Sequence, residues 1–214
     1  MERNSDALIA ELVESLQPVR PLRFGEGLAI VLAVATVSTG LVIGLFGMRA
    51  DLAAGAFHPM HLLATGLYLG LALAATVAVV VMSRPHVGSD HSGWRWAAGM
   101  AGLLPVAGVI VAAGRGDDIF AAETMLHGPQ CLAIGGAASL LVFAVLALWL
   151  RRGAPTAPGR AGLAAGVAAG AFGIFAFSLH CPDNDIVHLG IWHGAVVLVM
   201  AGLGRAVLPS LIRW

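Results

Sequence analysis

Two cysteines and eight histidines hold most of the chemistry open to this chain of 214 residues. Cys131 has His127 one helical turn before it, a spacing that puts both side chains on one helix face. Cys181 follows His180 directly and is itself followed by Asp183, Asp185 and His188. Thiolate and imidazole together suit soft or borderline ions such as zinc, copper or cadmium. Three readings of the thiols stand at this point: small buried apolar residues, a structural disulfide at an oxidising face, or a reactive or metal-binding pair. The sequence specifies no obligatory cofactor. A heavy-metal, zinc or copper ion is what a set of Cys131, Cys181, His127, His180 and His188 could hold. His58 and His61 form an H-x-x-H at a helix start, a weaker pattern that interfacial placement also explains.

Catalytic patterns are missing. The chain has no G-x-S-x-G, no H-E-x-x-H, no Walker loop and no glycine-rich dinucleotide fingerprint, so no enzyme is expected. Twelve basic residues balance twelve acidic ones, and every basic residue is arginine. That balance excludes direct nucleic-acid binding, which needs a basic patch to neutralise phosphates.

The elements that must position these groups cross a bilayer. Apolar residues make up 58% of the chain and charged ones 11%, against about 25% charged in soluble domains. Windows of about 20 apolar residues predict six spans, near 27–47, 60–82, 94–114, 130–150, 161–180 and 188–209. The fold class is therefore all-α, a six-helix polytopic bundle whose consecutive spans are antiparallel neighbours. The acidic start lacks the basic region of a cleaved leader, so the first span is expected to persist.

Arginine placement gives the orientation. With both termini inside, the inner segments hold Arg3, Arg20, Arg23, Arg84, Arg95, Arg151, Arg152, Arg160, Arg205 and Arg213, and the outer ones only Arg49 and Arg115. Trp94, Trp96, Trp149 and Trp214 fall at the inner interface. His58, His61, His127, His180, His188 and His193 fall with both cysteines at the outer one, while His86 and His91 lie in an inner loop. Cys131 and Cys181 are each 25 positions from residue 156, the centre of the turn between spans four and five. An antiparallel hairpin brings such residues to one depth, so the thiols should meet at the outer rim. Glycines four apart at 40/44, 66/70, 162/166/170 and 190/194 are either close-packing faces or a by-product of 28 glycines.

Ahead of the spans, residues 1–26 form a separate cytoplasmic segment. Leu8, Ile9, Leu12, Val13 and Leu16 fall on one helical face, and Pro18 and Pro21 stop the helix. So short a helix is marginal in water, and its apolar face needs a partner. Its acidic polar face argues against an anionic lipid surface. A partner protein, a frayed tail and packing on the chain's own loops are the readings left open.

The ends of the chain resemble the NrsF (negative regulator of sigma F) family of bacterial inner-membrane anti-sigma factors. The resemblance rests on LIAELVESLQPVRPLRF, on His180-Cys181-Pro182 with Trp192 shortly after, on Cys131, on the terminal Arg213-Trp214, and on the six-span layout. His193 stands where the family usually has an aromatic. The H-x-x-x-C-x-x-C of soluble zinc-binding anti-sigma factors is missing. The resemblance implies that the N-terminal segment captures an extracytoplasmic-function RNA polymerase sigma factor at the bilayer. It also implies that Cys131 and Cys181 feel heavy-metal or oxidative stress and release that factor. The alternative class is a transporter or metal-handling protein with an outer His/Cys site. A haem-carrying membrane protein is a third, disfavoured because its histidines would sit at one rim only.

Overall fold

The computed structural model describes residues 5–16, 21–85, 93–117 and 122–212. Arg3, Pro18, Arg20, His86, His91, Arg213 and Trp214 lie outside them. The described residues form helices with no strand: α1 (Ser5–Glu14), α2 (Phe24–Phe46), the short α3 (Ala50–Ala53), α4 (Pro59–Met82), α5 (Gly93–Arg115), α6 (Ala122–Arg152), α7 (Pro158–Ser178) and α8 (Ile186–Leu211). Six of them are long and apolar enough to cross a membrane, and they overlap the six expected spans. The starts are set by local chemistry. Pro59 and Pro158 open α4 and α7 at the first turn, where a missing N–H costs nothing.

α7 is the axis of the bundle. Within its apolar window 89% of residues are buried, against 22% in α2. Its buried face is almost all alanine and glycine, so neighbouring backbones can approach where lipid supplies no hydrophobic drive to association. The largest contact is with α8. A Cβ on Gly166 would run into Met200 O, and one on Gly162 into Gly204 O. Gly190 and Gly194 make a second seam against Leu104, Pro105 and Gly108 of α5. By contrast nothing lies within 4 Å of Gly40, Gly44, Gly66 or Gly70. Two of the four glycine patterns are thus packing faces and two face outward.

The expectation that consecutive spans are neighbours holds for α2 with α4, α4 with α5, α6 with α7 and α7 with α8, and fails for α5 with α6. α5 packs instead on α4, α7 and the start of α8. The reason is the axial helix: once α7 occupies the centre, α5 and α6 lie on different sides of it. Trp149, expected as an interfacial anchor, is buried. Its indole covers Gly27 and donates from Nε1 to Ser83 Oγ at 3.1 Å.

The seam makes a clear prediction. Gly166→Leu should destabilise the detergent-solubilised protein by at least about 3 kcal/mol, since backbone rather than a flexible side chain fills the space. Gly40→Leu should change the unfolding free energy by no more than about 1 kcal/mol.

A candidate thiol–imidazole site at one rim of the bundle

All the candidate outer-face groups gather at one end of the bundle, opposite the end holding the start of α2 and the close of α8. Cys131 lies on the first turns of α6, Cys181 in the loop after α7, and His188 and His193 on the first turns of α8. The ligand atoms of these four residues lie within 4.8 Å of one another, and all four side chains are buried. His188 Nε2 sits 3.4 Å from Cys131 Sγ and 3.7 Å from Cys181 Sγ. Both thiols are free.

The connecting loop is ordered by its own polar side chains. Pro182 prevents α7 from continuing, Asp183 Oδ1 accepts from Asp185 N at 2.8 Å, and Asp185 caps α8 by accepting from Val187 N at 2.9 Å. Burial alone would raise the Asp185 carboxyl, but Arg115 at 2.7 Å holds it below the usual carboxylate range. Asp183 Oδ2 lies 3.3 Å from His188 Nδ1, which turns the other ring nitrogen toward the thiols. The Cys181 thiol is held well below the usual thiol range. The hydrogen of Cys131 is the main cause, and the His188 ring adds to it against the burial that opposes it.

α8 has a special backbone here. Residues Leu189–His193 form a π-helical turn, with i→i+5 bonding. In a regular α-helix residues five apart point about 140° away from each other. The wider π turn reduces that angle, so His188 and His193 face one point. Tyr68 of α4 donates to Leu189 O at 2.7 Å, fixing the segment from the α4 side. Trp192 within it lies over Gly128 of α6, where a Cβ would overlap the indole.

Arg49, between α2 and α3, underpins the loop from below. It is 5% exposed. It donates from Nε and Nη2 to the Asp51 carboxylate at 2.6 Å each, from Nη1 to Cys181 O at 2.9 Å, and from Nη2 to Asn184 Oδ1 at 3.0 Å. Its Nη1 also meets His61 Nδ1 at 2.8 Å. The guanidinium hydrogen bond holds the Asp51 carboxyl below its ordinary range.

Of the expected ligand set, Cys131, Cys181 and His188 converge. His127 does not: it is exposed one turn further out, lining the same cavity of about 370 Å³ without joining the four ligand atoms. His180 turns away, its Nδ1 3.1 Å from Gly47 O and its ring against Phe46 and Phe177. His193 replaces them, a residue that α-helical periodicity places on another face. His61 and His58 separate as well: His61 is buried on Arg49, whereas His58 is exposed and caps α4 by accepting from Met60 N at 3.3 Å. Arg49 was also missed. Its signal was there, as one of two arginines on the side where arginine is scarce, with Asp51 two residues on.

The chain matches the family described as NrsF, negative regulator of sigma F, over residues 12–214. It is 35% identical to the "Anti-sigma-F factor NrsF" of Caulobacter vibrioides, the alignment covering 98% of this chain and 97% of that one. It is 30% identical to the "Probable anti-sigma-F factor NrsF" of Azospira oryzae, over 84% of each chain. No solved structure matches significantly.

Arg49→Ala should lower the thermal midpoint by several degrees, because it strips a buried loop of its donors. Arg49→Lys should recover only part of this, lacking the planar fork that spans Asp51 and Cys181 O. Arg115→Ala, whose pair is half exposed, should move the midpoint little.

Proposed function

The chain belongs to the NrsF family of negative regulators of sigma F, and from that premise we propose a bacterial inner-membrane anti-sigma factor for an extracytoplasmic-function sigma factor. Its cysteine pair answers heavy-metal or oxidative stress and releases the sigma factor. The observation that carries the proposal is α1. Leu8, Ile9, Leu12 and Val13 of α1, with Leu16 two residues beyond its end at Glu14, are 43% to 73% exposed, and no residue of α1 is buried. An apolar stripe on a short helix is unstable in water unless a groove covers it. A sigma factor docked on it would have its polymerase- or promoter-binding surface occluded.

Arginine distribution supports cytoplasmic termini. Arg23, Arg84, Arg95, Arg151, Arg152, Arg160 and Arg205 lie toward the end that holds the start of α2 and the close of α8, and Arg49 and Arg115 toward the other. α1 then faces the sigma factor, and the thiols face the periplasmic side. Two events at the rim could signal. A dication can displace the thiol protons. Alternatively a two-electron oxidant can take two electrons as the two S–H bonds break, one S–S bond forms and two protons leave. Either draws α6 and the α7–α8 loop together. α7 and α8, in backbone contact along their length, join the rim to the inner end. A 100-fold change in sigma-factor affinity needs ~2.7 kcal/mol of coupling.

The solubilised full chain should capture one sigma factor of its host saturably. Replacing Leu8, Leu12 and Leu16 with Asp should weaken capture at least 100-fold while leaving the thermal midpoint unchanged. Equal capture by that variant, or none by the intact chain, would overturn the proposal. In cells, Cys131→Ser with Cys181→Ser should retain repression but abolish induction by cadmium and by oxidants. Induction equal to that of the parent would remove the sensing half.

A further inference from the structure

Three buried side-chain nitrogens at the rim have no hydrogen-bond partner, Trp192 Nε1 and both ring nitrogens of His193. His193 is 0% exposed, and neither its Nδ1 nor its Nε2 has a hydrogen-bond partner. A buried imidazole left this way costs free energy that a native fold ordinarily recovers through a bond to something. Its neighbours are the rings of Tyr68, Phe177 and His188, at centroid distances of 6.5, 6.1 and 5.1 Å. Its remaining neighbours are the two thiols, which are themselves buried.

We propose that Cys131, Cys181, His188 and His193 form a closed four-ligand site for one soft or borderline dication of tetrahedral preference, of the zinc and cadmium class. This deepens the sensory reading of the rim by naming its ligand set and the class of ion it takes.

Three independent features agree. The first is spacing. A tetrahedron built on metal–sulfur bonds of about 2.3 Å and metal–nitrogen bonds of about 2.0 Å has ligand-to-ligand edges of roughly 3.3–3.8 Å. The 3.4 and 3.7 Å separations from His188 Nε2 to the two sulfurs are edges of that size. The second is the support of the ligands. Asp183 lies against His188 Nδ1, so Nε2 is left with its lone pair toward the sulfurs. A carboxylate behind a ligating histidine is the usual arrangement around zinc, because it fixes the tautomer and raises ligand basicity. The third is the π turn, which brings the i and i+5 histidines of α8 to one point and which such helices commonly form at functional sites.

Charge selects the ion. Two thiolates, two neutral imidazoles and a dication sum to zero, the state that a buried pocket holds at least cost. Each metal–thiolate bond replaces an S–H bond, and the two protons leave to solvent. Four protein ligands leave no position for water, so the site is of the binding kind rather than the hydrolytic kind. An oxyanion such as chromate is not a cation that thiolate and imidazole lone pairs can hold, and acts here by oxidising the thiols. A bound dication and a Cys131–Cys181 disulfide exclude each other.

The test uses the full chain in detergent, with cadmium for stoichiometry and affinity and cobalt for ligand geometry. One equivalent of cadmium should bind with thiolate-to-metal charge-transfer absorbance in the ultraviolet. Cobalt should give the intense visible bands of a tetrahedral mixed sulfur–nitrogen site. His193→Phe, which keeps an aromatic ring in the pocket, should weaken cadmium at least 10-fold and alter the cobalt bands. Asp183→Asn should weaken cadmium about 10–100-fold with the cobalt bands unchanged in type, since no ligand is lost. His127→Gln and His180→Gln should bind like the parent.

If His193→Phe and His188→Gln both retain the parent's affinity and cobalt spectrum, the assignment is wrong. It is equally wrong if His127→Gln or His180→Gln abolishes binding. Thermal midpoints of the metal-free variants separate lost ligands from lost folding. No sigma factor enters this assay. A chain that binds cadmium as described but captures no sigma factor fails the anti-sigma reading alone, and the reverse result fails this one alone.

Discussion

A bilayer gives helices no hydrophobic reason to associate, so this bundle depends on how closely α7 and α8 can approach. Gly162, Gly166 and Gly170 let the two backbones touch near Gly204, Met200 and Val197. That contact fixes the rotation and height of α8, and α8 carries two of the four side chains clustered at the rim. Cys181 lies in the loop directly after α7, its N–H bonded to Phe177 O, so the same seam also places that thiol. The other spans gather around this pair and leave leucine, valine and isoleucine to the lipid.

The rim then needs two local devices beyond helix packing. One is Arg49, which ties Cys181 O and Asn184 to Asp51 and keeps the connecting loop in one shape. A charged group buried with so many partners is destabilising to disrupt, whatever it contributes to net stability. The other is the π turn, held by Tyr68 on one side and by Trp192 over Gly128 on another. Without that turn His193 would point away from the thiols and the pocket would have three ligand groups in place of four.

Much of this was legible in the residues. The six spans are written in the length of the apolar runs, and the meeting of Cys131 with Cys181 follows from their equal distance from one turn. The histidines of the cluster were half legible. His188 lies close to Cys181 along the chain, but His127 and His180 are closer neighbours in sequence and neither joins the cluster. His127 is one turn too far out, and the end of α7 rotates His180 toward Gly47. His193 was hidden because periodicity assumes a regular α-helix, and a single π turn breaks the assumption at that place. The neighbour relations of α5 were hidden for another reason: connection length does not reveal which helix takes the axis.

On the proposed reading, an ion at one rim and a sigma factor at the other end act on each other through one continuous body, the α7–α8 pair. Thermodynamic linkage then requires reciprocity: if cadmium weakens the hold on the sigma factor, the sigma factor must weaken the hold on cadmium by the same factor. The most direct measurement is cadmium affinity of the full chain in nanodiscs, with and without saturating sigma factor. Cadmium should bind about 100-fold more weakly to the complex, a difference of ~2.7 kcal/mol, and should not bind at this rim in the Cys131→Ser, Cys181→Ser chain. Equal cadmium affinity with and without a sigma factor that is demonstrably bound would contradict it, because two sites that do not bias each other cannot form a sensor.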